Sequence, residues 1–138
     1  MKKFPCDDIG KFNEYFGCKI NRKCRKMDFT QPVLLQSFKD EFALPNYTFD
    51  TPAIQGQVLQ AVKEGEEVSP ELQREYRGGI GKLLYLMRWS RPDIWNAVRE
   101  CARRMTSSCD THRKAMLRIM KYCLDTPSRG WILKPSRK

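Results

Sequence analysis

Three groups of residues in this chain have types and spacings that could do chemistry. Cys18 and Cys24 are six apart and Cys109 and His112 three apart, so a Cys3His zinc site can be drawn. The spacing argues against it, because structural zinc prefers tighter pairs such as Cys-x2-Cys or Cys-x4-Cys. Cys101 and Cys123 fall on apolar helix faces, where a thiol serves as a small hydrophobe. The expectation is no metal. Gly78, Gly79 and Gly81 form the second group, and clustered glycines can let backbone amides cradle a phosphate. Neither Gly-x-Gly-x-x-Gly nor a following Lys-Ser/Thr accompanies them, so close approach of another backbone is the expected reason for them. The third group is Lys114, Arg118 and Lys121, a cationic ridge at i, i+4 and i+7 that could track a phosphate backbone. Three basic residues alone make only a solvated face, but Arg99, Arg103, Arg104 and Arg113 add to the same half.

Charge sharpens that last group. Residues 76–138 hold fifteen Lys/Arg against four Asp/Glu, a formal +11, whereas residues 1–75 hold eleven against twelve, a formal −1. A positive field concentrated in one half is a statement about partners, and the usual polyanion is nucleic acid. An acidic membrane surface fits less well, because basic membrane helices set Trp, Phe and Leu opposite a Lys-rich face. Here the cations are mostly Arg and sit on several helices. The residues expected to meet phosphates are Arg99, Arg103, Arg113, Lys114, Arg118 and Lys121. No membrane partner is expected. The chain has no apolar run near the ~20 residues of a membrane span and no signal-peptide core after Met1, so an intracellular location, cytoplasmic or nuclear, is expected. In that setting all six cysteines should be free thiols.

Elements must position these side chains. At 138 residues, 41% hydrophobic and 30% charged, the chain has the size and composition of one ordinary globular domain. Residues 1–50 predict a small hairpin plus a helix. A strand covers Glu14 to Ile20, a charged tip covers Asn21 to Lys26, and Met27 to Thr30 returns. Thr30 is the expected cap of a helix from Gln31, with Pro32 in its first turn and Leu44-Pro45 stopping it. Residues 51–68 are an exposed, flexible linker. Residues 69–138 predict three helices: one capped by Ser69, one opened by Ser90-Arg91-Pro92-Asp93 in capping-box spacing, and one capped by Asp110 or Thr111. Arg91 either reaches a partner or pairs with a carboxylate to fix the turn around Pro92 and Asp93. Gly130 to Leu133 is a short strand that needs a partner, for which the N-terminal hairpin is available. The fold class expected is α+β: a small N-terminal β-hairpin plus helix, then a three-helix thumb-like bundle and a short C-terminal strand.

Several short motifs run in a familiar order. Tyr76-Arg77-Gly78-Gly79-Ile80-Gly81-Lys82-Leu83-Leu84-Tyr85-Leu86, then Arg91-Pro92-Asp93-Ile94, Ala97-Val98, Met105, His112, Ala115, Arg118-Ile119-Met120-Lys121-Tyr122, Thr126 and Gly130 resemble the pattern of copia-type retrotransposon reverse transcriptases. Upstream, Ile9-Gly10, Tyr15-Phe16-Gly17-Cys18-Lys19-Ile20, Phe29-Thr30-Gln31, Phe42 and Thr51-Pro52 keep the same order. The resemblance covers nearly the whole chain.

What the resemblance implies is the end of a palm, a thumb and the start of a connection. Tyr15, Phe16 and Gly17 stand where that family has a Phe-Leu-Gly primer grip. Tyr and Phe replace Phe and Leu, and Lys19 stands where an acidic residue is common. The family clamps two metal ions with carboxylates, two of them in a Tyr-x-Asp-Asp turn. That turn would lie upstream of Met1, and Mg2+ is expected only in that missing palm region. In Cys6-Asp7-Asp8 the aromatic position holds Pro5, so no catalytic residue and no cofactor are expected in this chain. The implied role is a non-catalytic fragment of an RNA-directed DNA polymerase that holds primer–template duplex, RNA–DNA or DNA, by phosphate contacts. Its other partners would be the palm and RNase H regions of the polyprotein. Two alternatives are a free-standing basic nucleic-acid-binding protein and a helical interaction domain for an acidic partner.

Overall fold

The β-formers of the N-terminal part build a sheet larger than one hairpin. In the computed structural model, which describes residues 7–8, 10–63 and 68–135, four antiparallel strands pair in chain order. They are β1 (Glu14–Tyr15), β2 (Cys18–Lys23), β3 (Lys26–Thr30) and β4 (Trp131–Leu133). The C-terminal strand thus finds its partner on the hairpin, with Phe29 opposite Trp131 and Met27 opposite Leu133. The single strand expected over 14–20 is split at Phe16 and Gly17, whose φ values are 48° and 67°. Two consecutive left-handed residues make a turn whose twist matches the flanking strands, so the chain reverses there. The second tip is shorter than expected. Asn21 to Lys23 continue β2 and pair with Lys26 to Asp28, leaving Cys24 and Arg25 as the turn, with Cys24 at φ 52°.

Helix α1 (Pro32–Glu41) starts one residue later than expected. Thr30 stays in β3 opposite Lys19, so it cannot serve as a cap, and Gln31 takes the N-cap position without a side-chain cap bond. Gln31 is buried and accepts a hydrogen bond from Ser90 Oγ at 2.8 Å. Ser90 is therefore drawn away from the expected capping box with Asp93. The chain makes a 3-10 turn at Pro92–Ile94 before α3 (Trp95–Ala102), and Met105 lies beyond that helix. Ser69 does cap α2 (Pro70–Trp89), accepting from the Leu72 amide at 3.4 Å. For α4 (Asp110–Asp125) the N-cap is Cys109, neither Asp110 nor Thr111. His112 Nδ1 accepts from the Cys109 amide at 3.1 Å, which ties off that helix start.

The helices pack around one core. Leu83, Ile94, Val98, Met116, Ile119 and Met120 are each 1% exposed or less, and Leu84 packs against them half-buried. Leu35 and Phe38 of α1 join the same cluster. Residues 51–63 do not project as a free linker. Leu59 is buried, its carbonyl accepts from Arg104 Nε at 2.9 Å, and His112 Nε2 donates to the Gln60 carbonyl at 2.7 Å. Two backbone anchors and one buried side chain order a segment that has no helical or strand period of its own. Residues 64–67 of the expected linker lie outside the described residues.

The three α2 glycines divide by surroundings, and the close neighbour is a pair of side chains, not a backbone. A Cβ on Gly79 would sit 2.3 Å from Met116 Sδ and 3.0 Å from Met120 Cε, whereas Gly78 and Gly81 have nothing within 4 Å. Gly78→Ala and Gly81→Ala should each stabilise by up to about 1 kcal/mol through helix propensity. Gly79→Ala overpacks a full core and should cost about 1–3 kcal/mol before that gain is counted. Urea midpoints of the three variants check the division.

Candidate nucleic-acid interface

Tyr15, Phe16 and Gly17 sit together at the β1–β2 turn. The turn is pinned to the last turns of α2: the Phe16 ring stacks on Trp89 at 4.8 Å and 11°, and Tyr85 Oη donates to the Phe16 carbonyl at 2.7 Å. Tyr15 lies edge-on to Phe16 at 4.4 Å. Both rings remain about half exposed, at 50% and 52%. The positive φ of Phe16, tolerated here with a full side chain, is held by that stacking and hydrogen bond.

The six candidate cations separate by what they already touch. Arg99 is exposed and has no ion-pair partner among the described residues, and Arg103 is exposed with one long contact to Glu100 at 3.3 Å. Lys114 is exposed and pairs with Asp110 at 2.8 Å, one turn back. That hydrogen bond lifts the Lys114 value and holds Asp110 below the usual carboxylate range. Arg113 forms a two-pronged pair with Glu75 of α2, Nε to Oε2 at 2.9 Å and Nη2 to Oε1 at 3.0 Å, which raises its value further. Arg118 lies 4.2 Å from the Phe49 ring centroid and donates to Thr51 Oγ1 at 3.0 Å. Lys121 is half-buried against Asp125 at 2.7 Å. The ridge of Lys114, Arg118 and Lys121 is therefore partly committed: Lys114 stays open to solvent, while Arg118 fastens residues 49–51 and Lys121 closes the end of α4.

Arg91 is a structural hub. Its guanidinium is 1% exposed and makes a two-pronged pair with Asp93, Nε to Oδ1 at 2.9 Å and Nη2 to Oδ2 at 2.8 Å. Its remaining donors reach the Thr126 carbonyl and Oγ1, both at 2.9 Å, and the Cys123 carbonyl at 3.3 Å. Tyr122 Oη donates to Asp93 Oδ2 at 3.2 Å, and Arg129 Nη1 donates to that same hydroxyl at 2.6 Å. The α2–α3 turn is thereby bolted to the end of α4, just before β4. Burial alone would raise the Asp93 value, but the hydrogen bonds from Arg91 outweigh it and hold the carboxyl below its ordinary 3.8. A lowered native value means the stabilisation is complete above the ordinary value and lost as pH falls through the native one. Acid unfolding followed from pH 5 to 2 should therefore be shallower in Asp93→Asn than in the parent chain.

The two cysteines on the inner helix faces are weak nucleophiles. Burial pushes the Cys101 thiol up to about 11 and Cys123 to about 12, so neither forms a thiolate near neutral pH. Among the described residues no three of His, Cys, Asp and Glu gather closely enough to hold a metal ion. Asp7 and Asp8 are exposed, and Asp8 Oδ1 accepts from the Gly10 amide at 2.9 Å in a local turn. No described helix is long and apolar enough to cross a membrane. The charge count over 76–138 draws attention from Arg22 and Arg25, which lie on the hairpin and lack an ion-pair partner among the described residues. The period-2 alternation of β2 puts Arg22 in line with Cys18 and Ile20, whereas Arg25 lies in the turn beyond that strand.

Comparison with known proteins gives these elements a context. The chain is 42% identical over 60 residues to the Retrovirus-related Pol polyprotein from transposon RE1 of Arabidopsis thaliana, a match covering 44% of this chain and 4% of that protein. It is 40% identical over 60 residues to the corresponding polyprotein from transposon RE2 of the same plant, again 44% and 4%. Over 131 residues, 91% of this chain and 10% of the relative, it is 26% identical to the Retrovirus-related Pol polyprotein from transposon TNT 1-94 of Nicotiana tabacum. The chain therefore spans a tenth or less of the length of these curated relatives. No family model matches, and no solved structure matches. Its relatives are thus polyproteins of plant transposons, and it corresponds to a small portion of them.

Proposed function

We propose that the chain is a non-catalytic portion of a copia-type retrotransposon RNA-directed DNA polymerase, the end of a palm with a thumb, and that it holds primer–template duplex through Lys/Arg–phosphate contacts. The palm and RNase H regions of such a polyprotein are its natural partners. The observation that carries the reading is the +11 of residues 76–138 in a chain similar along nearly its whole length to a Pol polyprotein. Arg99, Arg103 and Lys114 are the contacts most available, because their heads face solvent and their internal partners are few. Arg118 can add a fourth from its place on Phe49. Arg113 and Lys121 serve the fold first.

About four phosphate contacts give a fall of log affinity with log salt at a slope of roughly −3 to −4. Arg99→Gln/Arg103→Gln should flatten that slope by about two with little effect on stability. Neutralising Lys114, Arg118 and Lys121 together flattens it less cleanly, since Arg118 and Lys121 also hold structure. The measurement is a salt titration against duplexes of unrelated sequence. Equal slopes for parent and Arg99/Arg103 variant, or a strong preference for one sequence, would overturn the reading. Primer extension by the isolated chain on a homopolymer template, with magnesium or manganese, should yield nothing; extension abolished by Asp7→Asn/Asp8→Asn would contradict the non-catalytic assignment.

A further inference from the structure

One face of the sheet carries a pattern that the helical cations do not explain. Pairing places Tyr15 opposite Cys18, Ile20 opposite Phe29, and Phe29 opposite Trp131, so these residues share a face. Strand alternation adds Leu133, Met27 and Arg22 to it, Met27 lying opposite both Leu133 and Arg22. Cys18 and Ile20 are buried, and the Cys18 thiol lies 3.8 Å from the Trp89 carbonyl, so the end of α2 covers that part. The cover stops there. Tyr15, Met27, Trp131 and Leu133 remain 40% to 53% exposed.

Two grooves meet on this face at Leu133. One of 390 Å³ is lined by Tyr15, Phe29, Trp89 and Trp131, with Arg88 beside them. The other, of 620 Å³, is lined by Arg22, Arg25, Lys26, Met27 and Lys134. The first offers flat rings; the second has a mainly apolar wall, shared with Leu133 and Pro135, contributed in part by cationic residues. Trp131 stacks on no other ring among the described residues, unlike Trp89, which Phe16 already covers. Lys26 is paired with Asp28 at 3.0 Å, whereas Arg25 and Lys134 have no ion-pair partner among the described residues. Arg22 donates to the Phe12 carbonyl at 2.8 Å and has no ion-pair partner among the described residues.

An open ring running into unneutralised cations is complementary to an unpaired nucleotide strand, whose bases stack and whose phosphates pair. A duplex does not satisfy it, because its bases already stack on one another. An apolar peptide leaves the cations unmatched, and an acidic peptide leaves the aromatic groove unfilled. We propose that this sheet face binds single-stranded nucleic acid, with a base on Trp131 and backbone phosphates on Arg22, Arg25 and Lys134. Strand type, surface and residues all differ from the duplex contact on the helices, so the site goes beyond that reading and stands without it.

The test uses the whole chain and a labelled thymidylate oligonucleotide of about ten residues, followed by anisotropy, with a blunt duplex and polyglutamate as parallel probes. Trp131→Leu keeps an apolar side chain in β4 but removes the ring, and should weaken strand binding roughly 5- to 150-fold. Arg25→Gln, on an exposed turn, should reduce the log–log salt slope for the strand by about 0.7. Both variants should bind the blunt duplex as the parent does. Should Trp131→Leu lose its fold by circular dichroism, Arg25→Gln decides alone. Strand binding unchanged in the folded variants overturns the site. So does polyglutamate binding that is lost in the same variants, which would mark a surface for an acidic protein. Duplex binding lost with strand binding kept would defeat the helical reading and leave this one in place.

Discussion

Arg91→Met should destabilise the chain by about 3–5 kcal/mol, more than any other change at a charged residue. The guanidinium is buried, and its removal leaves the Asp93 carboxylate without its two-pronged partner. It also strands the Thr126 and Cys123 carbonyls, which accept from it near the end of α4. A group left unsatisfied costs its own desolvation, which is why removing one partner of a buried pair exceeds the worth of the pair itself. Arg91→Lys should recover little, because a single ammonium cannot reproduce the fork that meets both Asp93 oxygens and Thr126. The double change Arg91→Met/Asp93→Leu should recover part of the loss, since it removes the orphaned charge. Urea unfolding of the three variants measures this; a loss below 1 kcal/mol for Arg91→Met would show that the hub is not holding the turn to α4.

Leu83→Ala should cost about 2–5 kcal/mol, the second largest effect. Leu83 is fully buried where α2 meets α3 and α4, in the same cluster as Ile94, Val98 and Met120. Truncation removes three carbon atoms from an enclosed site, and the rigid helix pair cannot collapse fully onto the space. Its chain neighbour supplies the control. Leu84 is half-buried at the margin of the same cluster, so Leu84→Ala should cost clearly less. Val33→Ala, at a residue 75% exposed on α1, should stay within about 0.5 kcal/mol. Equal losses at Leu83 and Leu84 would mean the two residues share one environment, contrary to the packing.

Some of the candidate site was legible from spacing that charge counting overlooks. Lys114 follows Asp110 by four residues and Lys121 precedes Asp125 by four, and one helical turn brings such pairs face to face. That arithmetic already separates a free ridge from a partly neutralised one. The Arg113–Glu75 pair had no such signal, because it joins α4 to α2 across 38 residues. Arg118 likewise meets Phe49 and Thr51 only because residues 49–51 pass against α4 in the folded chain.

Local chemistry determined the parts of this protein whose cause lies within a few residues. Apolar spacing by three and four set the stripes of α2, α3 and α4, and Ser69-Pro70 set a helix start. The sequence also showed that Gly130 to Leu133 is too short to stand alone. Tertiary structure decided what local preference leaves degenerate. Thr30 and Ser90 are both competent caps, yet β-pairing keeps one and Gln31 takes the other. Phe16 has no preference for a left-handed backbone, but stacking on Trp89 and the Tyr85 hydrogen bond hold it there and turn one strand into two. In each case a tertiary or cross-strand contact outweighs a local term of about 1 kcal/mol or less, and for Ser90 and Phe16 the partners lie 59 and 69 residues away, beyond any local window.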